Sequence, residues 1–177
     1  IQMVGMKEAA IKLKITEPEL HEGVLILRGK DDAEFFDNSF LKIQTKAGEL
    51  VSLSDNPVQR KIQQAVDNAR ALGKPVRLKI PKARRHGVST KVQALFYRDM
   101  YYQSHIHGLT VCNDLESATN MRDMFARYHD NFTIEAKSRL KKVTPKTWKF
   151  SGRDIDYLID TADELDTGRS FTIHRLH

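Results

Sequence analysis

The spacing of apolar positions changes character several times along the chain, and each change marks an expected element. Residues 1–15 interleave Lys7, Glu8, Lys12 and Lys14 with apolar side chains, the pattern of a short amphipathic helix, which Glu17-Pro18 is expected to stop. The longest apolar string, Gly23-Val24-Leu25-Ile26-Leu27, has the length of a strand. Asp31-Asp32 and Asp37-Asn38 punctuate the next stretch, so residues up to about 50 read as an irregular α+β arm. Inside it, residues 41–45 alternate like a strand, and Lys46-Ala47-Gly48-Glu49 makes a turn into Leu50-Val51. Asn56-Pro57 then opens a helix with proline in its first turn; Ile62, Ala65, Val66 and Ala69 recur at helical spacing, and Gly73-Lys74-Pro75 ends it.

Residues 76–80 alternate as a strand and lead into a glycine-containing loop, after which residues 91–102 read as a helix. Residues 109–112 form a second strand. A second helix over 115–128 is opened by Asn113-Asp114 and carries Ala118, Met121 and Phe125 on one face. The expected unit is therefore βαβα, with its two strands paired in parallel. A less regular basic stretch over 137–149 precedes residues 154–159, and residues 171–177 close the chain in strand-like alternation.

Composition sharpens this outline. At 177 residues with 40% hydrophobic side chains, the chain has the size of one domain with a real core. The 29 Lys+Arg against 23 Asp+Glu leave a formal charge of +6, which favours a polyanionic partner such as a nucleotide or nucleic acid. A single cysteine, Cys112, allows neither an internal disulfide nor a CxxC zinc framework and fits a reducing compartment. No uninterrupted apolar run reaches the ~18 residues of a membrane span, and residues 1–15 lack the apolar core of a signal peptide. A soluble protein is expected.

The chemistry concentrates in Lys82-Ala83-Arg84-Arg85-His86-Gly87-Val88-Ser89-Thr90, between the expected strand and helix. A phosphate cradle needs inward N–H groups at a helix N-terminus, a glycine where the chain passes close to phosphate, a cation, and a hydroxyl for Mg²⁺. Against GxxxxGK[ST], Gly87 takes the second glycine and Ser89 the hydroxyl position, while Val88 replaces the usual lysine and Lys82 the first glycine. By that pattern alone the match fails, and a strand-to-helix turn with solvated Arg and Lys explains the loop equally well.

The loop resembles the variant Walker A loop of tailed-bacteriophage terminase large subunits, in which the lysine stands at the loop's start and Gly-x-Ser-Thr closes it. The ordered surroundings are similar as well. The run Leu41-Lys42-Ile43-Gln44-Thr45-Lys46-Ala47-Gly48-Glu49, followed by Asn56-Pro57-Val58-Gln59, resembles the segment preceding that loop. Thr110-Val111-Cys112-Asn113-Asp114-Leu115-Glu116-Ser117-Ala118 is similar to the next strand and helix start. Thr161-Ala162, Gly168-Arg169-Ser170-Phe171-Thr172 and Leu176-His177 resemble the run toward the Walker B carboxylate.

The resemblance implies a P-loop NTPase-type α/β fold, a parallel sheet flanked by helices, with residues 1–50 as an N-terminal arm and 51–177 as the N-terminal part of the ATPase domain. It further implies an ATPase that drives viral double-stranded DNA into procapsids in the host cytoplasm, working with a small terminase subunit and a portal protein, as a homo-oligomeric ring on the procapsid. ATP and Mg²⁺ are the implied cofactors. Carried over, Lys82 neutralises the β/γ-phosphates and Arg84 stabilises charge on the transferring phosphoryl group, the two catalytic assignments. Gln59 contacts adenine, Gly87 and Val88 pass close to the nucleotide, Ser89 holds Mg²⁺, and Thr90 adds a donor. The carboxylates this chemistry needs are not placed by the resemblance within these residues. Asp114 is a weak substitute, so poor hydrolysis by this region alone is expected.

Two other readings are carried beside it: a helicase-like P-loop DNA translocase, and a non-catalytic basic nucleic-acid-binding module. Lys137, Arg139, Lys141, Lys142, Lys146 and Lys149, with Trp148 and Phe150, make a candidate DNA-contacting stretch, with a solvated basic face as the plainer reading. His105, His107, His129 and Cys112 are metal-ligand types without a zinc spacing, and Tyr97, Tyr101 and Tyr102 read as core packing.

Overall fold

Helix α1 (Glu17–Asp31) begins where the sequence suggests a helix should stop. The computed structural model describes residues 17–81, 86–132, 140–142, 144, 146–150, 153–163 and 173–177, so the expected helix over 1–15 lies outside the described residues. Pro18 opens α1 because a first-turn residue needs no N–H donor and its fixed φ already suits a helix. The apolar string 23–27 is accordingly helical, correcting its strand-like reading. Asp32 then caps α2 (Ala33–Phe40), its carboxylate accepting from the Phe35 N–H at 2.9 Å. Asp37, which reads in sequence as punctuation, sits buried inside α2.

The hairpin forms as expected: β1 (Lys42–Gln44) pairs antiparallel with β2 (Leu50–Ser52), and Gly48 supplies φ +87 in the turn. Helix α3 (Pro57–Ala71) starts at Asn56 with a reciprocal capping box to Gln59. Beyond it, residues 74–81 run without secondary structure, and no backbone hydrogen bond joins 75–81 to another described residue. The strand expected at 76–80 is therefore absent. Alternation supplies one face for burial, but a strand also needs a neighbour for its N–H and C=O groups, and no described strand pairs with it.

The sheet is built on β3 (Ile106–Cys112), which follows α4 (Val88–Tyr102) and precedes α5 (Leu115–Asp130). Its parallel partners are β6 (Ile155–Thr161), with Gly108 opposite Tyr157, and β7 (Arg175–Leu176), with Leu109 opposite Leu176. The parallel pairing expected of this region is thus made with later strands rather than with 76–80. On the β6 edge, β5 (Thr147–Phe150) and β4 (Leu140–Lys142) add an antiparallel hairpin, where the basic stretch reads in sequence as less regular. The order is β4-β5-β6-β3-β7. Among the described residues, no helix is long and apolar enough to cross a membrane.

Aromatic side chains join the arm, the helices and the sheet into one core. Phe36 packs on Tyr101, Tyr102 and Phe132, and Tyr97 on Phe125 and Tyr128, while Tyr157 of β6 meets Phe96 and Phe125. Each such ring removed from water contributes about 1.5–3 kcal/mol. The three tyrosines of α4 pack here, as the spacing suggests. Gly108 lets α4 approach β3: a Cβ there would lie 2.6 Å from Met100 Cε and 2.9 Å from the Tyr157 ring. Polar contacts fix the arm further. Arg98 of α4 donates to the Gly29 and Lys30 carbonyls at the end of α1, and the Tyr102 hydroxyl donates to the Ile26 carbonyl.

Beneath these contacts, Lys91 of α4 is fully buried, its Nζ 2.6 Å from Asp37 Oδ2 and 2.6 Å from Asp55 Oδ2. One cation thus holds α2, the segment before α3, and α4. Removing the ammonium leaves two carboxylates without their counter-ion in the interior, so Lys91→Met is expected to destabilise the fold by about 3–5 kcal/mol in urea denaturation. Burial raises the Asp37 carboxyl from its ordinary 3.8 to about 6 despite the opposing pull of Lys91. A folded-state pKa above the unfolded value means that the folded chain binds more protons. This contribution to stability is therefore full below 3.8 and is lost as pH rises to about 6. Asp37→Asn should remove that slope, read as the variant-minus-wild-type difference in unfolding free energy across this window.

Candidate functional site

Gly87 opens α4 in the left-handed region, with φ +68 and ψ +16, and no side chain caps the helix. Among the described residues, the Val88, Ser89 and Thr90 N–H groups have no backbone acceptor, and they stand at the positive end of the helix dipole. The preceding turn is held from α3. Asn56 Nδ2 donates to the His86 carbonyl at 3.3 Å and Gln59 Nε2 to the Gly87 carbonyl at 3.0 Å. The Gly87 carbonyl also accepts from the Lys91 N–H at 3.0 Å. Gln59 itself is buried, and its Oε1 accepts from the Asn56 N–H at 2.8 Å.

The sequence-predicted site residues separate into three groups. Lys82 and Arg84 lie outside the described residues. Gln59, Gly87, Ser89 and Thr90 converge on the start of α4: Ser89 faces a polar cavity, and the Thr90 carbonyl accepts from the buried Tyr128 hydroxyl at 3.1 Å. Val88 turns the other way. It is buried with Ile62, Val66 and Leu95 at the wall of an apolar groove of about 680 Å³, bounded by α3, residues 74–80, α4 and β7.

The cavity beside Ser89, about 650 Å³, lies at the carboxyl ends of the parallel strands, where open α/β sheets take their ligands. Thr110, Cys112, Asn113, Asp114 and His177 share its wall. Asp114 caps α5 by accepting from the Ser117 N–H at 2.6 Å, and these hydrogen bonds hold its carboxyl below the usual range. Burial raises the Cys112 thiol, so it is a weak nucleophile where it stands. Behind the wall, Gln93 and Tyr157 both hydrogen-bond the Thr110 hydroxyl, fixing the strand end against α4.

The histidines do not converge on Cys112. His105 and His107 lie at the opposite end of β3, where His105 pairs with Asp154 at 3.1 Å and His107 stacks on His174, and His129 packs against Trp148. In the basic stretch, Lys146 pairs with Asp160 and Lys149 with Asp156, and Trp148 is buried; Lys137 and Arg139 lie outside the described residues. Sequence reading missed the Asp37–Lys91–Asp55 cluster and the Asn56 clamp on His86. The one local signal was a lysine directly after Ser89-Thr90 on a helix that otherwise buries its side chains.

No protein-family model matches the chain, and no curated protein matches it in sequence. Among solved structures, its fold is similar to that of the HK97 bacteriophage large terminase, with a TM-score of 0.65 at 12% sequence identity. The similarity covers 81% of this chain and 29% of the terminase chain. It extends to the mixed α/β architecture, a sheet with parallel strands flanked by helices.

The site's backbone is tested at Gly87. An added Cβ would sit 2.7 Å from Gln59 Nε2, on a residue at φ +68. Gly87→Ala should therefore lower stability by about 1–2 kcal/mol in denaturant melts, with the loss concentrated where Gln59 meets the loop.

Proposed function

We propose that the chain is the ATP-binding region of a viral DNA-packaging motor of the terminase large-subunit type. The observation that carries this reading is the uncapped, glycine-opened N-terminus of α4, set at the carboxyl ends of parallel strands in a fold shared with a phage large terminase. Free N–H donors at a helix start attract phosphate, and the variant loop sequence supplies the remaining groups.

In this proposal Lys82 reaches the β/γ-phosphates from the loop's start and Arg84 stabilises the transferring phosphoryl group. Val88 supports the first of these assignments, because the position of the usual loop lysine is occupied by a side chain packed on Ile62 and Val66. Ser89 would hold a nucleotide-bound Mg²⁺, with Thr90 as a neighbouring donor, a role that its position on the cavity wall supports. The metal would supply charge neutralisation at the phosphates. Double-stranded DNA, a small terminase subunit, a portal protein and a homo-oligomeric ring on the procapsid in the host cytoplasm are the proposed context. Hydrolysis itself is proposed for the longer motor, because the chain spans 29% of the terminase it resembles.

Nucleotide binding by the Lys82→Ala and Ser89→Ala variants tests the reading. Lys82→Ala should lose ATP affinity about 100-fold, and Ser89→Ala should lose the Mg²⁺ dependence of binding. Unchanged ATP affinity in Lys82→Ala sinks the loop assignment. DNA binding with no nucleotide binding favours a basic nucleic-acid-binding module instead.

A further inference from the structure

A glutamine that reads adenine needs its amide edge free, Nε2 to donate to the ring nitrogen and Oε1 to accept from the exocyclic amine. Gln59 is buried with both ends of its amide already engaged. It is 4% exposed, its Oε1 takes the Asn56 N–H at 2.8 Å and its Nε2 gives to the Gly87 carbonyl at 3.0 Å. Asn56, the other half of the capping box, draws the His86 carbonyl to the same side with its Nδ2.

The two consecutive carbonyls drawn toward α3 have a direct consequence for the amides. Across a trans peptide the C=O and the next N–H point in opposite directions, and the described chain has no cis peptide. Holding the His86 and Gly87 carbonyls against α3 therefore turns the Gly87 and Val88 N–H groups away from it. Neither N–H has a backbone partner among the described residues. We infer that Gln59, with Asn56, is a positioning residue of the phosphate site: it presets the loop so that its amides face the anion, rather than selecting the base. The inference rests on the proposed phosphate-binding role of this loop. Presetting lowers the ordering entropy that an anion would otherwise have to overcome on binding.

The test measures the affinity of the 177-residue chain for ATP, GTP and inorganic tripolyphosphate, with melting temperature followed in parallel. Gln59→Ala removes the donor to Gly87; Asn56→Ser keeps a capping oxygen for α3 and removes only the donor to His86. The expected result is a similar loss for all three ligands, about fivefold to tenfold in Gln59→Ala and smaller in Asn56→Ser. Should Gln59→Ala fail to fold, Asn56→Ser carries the test. A loss confined to ATP makes Gln59 an adenine reader and overturns the inference, as does a lowered melting temperature with tripolyphosphate affinity unchanged. A wild-type chain that binds none of the three overturns the phosphate reading itself, and the positioning role with it.

Discussion

The structure turns on the buried Lys91 ammonium. Its two carboxylate partners come from Asp37 in α2 and Asp55 just before α3, so one side chain of α4 sets where both elements sit. Paired charges in an interior contribute little net stability over well-packed apolar groups, because desolvation opposes their attraction. What such a cluster supplies is geometric definition. An apolar contact tolerates sliding, whereas an ammonium with two oxygens at 2.6 Å does not. Asp55 Oδ1 has no hydrogen-bond partner among the described residues, so the cluster is held by Lys91 from one side.

That definition passes directly to the candidate site. Asp55 precedes Asn56, whose side chain reaches the His86 carbonyl; Gln59 reaches the Gly87 carbonyl; and the Gly87 carbonyl also takes the Lys91 N–H. The contacts close a circuit from Lys91 through α3 and back to Lys91. A shift of α3 relative to α4 must break at least one charge-assisted bond and one loop clamp together. The aromatic core then fixes the arm to the same helix, through Phe36 on Tyr101 and Arg98 on the end of α1.

Sequence reading succeeded where the determinant is local. The start of α3 was legible because Asn56, Pro57 and Gln59 satisfy the orphan N–H groups of a helix by themselves, and the β1–β2 turn because Gly48 takes a positive φ. It failed where the determinant lies far away in the chain. Pro18 reads equally as a stop or a start, and nothing adjacent decides between them. Residues 76–80 carry the alternation of a strand, yet strandhood depends on a neighbour that the local pattern does not encode. In the basic stretch, Lys146 and Lys149 pair with Asp160 and Asp156 of β6, partners that the local pattern does not encode. Lys91 was invisible for the same reason, since its partners lie 54 and 36 residues away.

The displaced lysine becomes understandable in these terms. A lysine at position 88 would begin its path in the apolar cluster of Ile62, Val66 and Leu95, on the side of α4 away from Ser89 and its polar cavity. Taking an ammonium through that cluster would carry the full desolvation penalty without a carboxylate to offset it. Lys91 cannot serve either, being committed to Asp37 and Asp55. With α4 in this rotation, neither position 88 nor Lys91 can supply the cation of the proposed phosphate site, which supports a source in the loop before Gly87. In the proposed reading that cation is Lys82, which the sequence places five residues before Gly87.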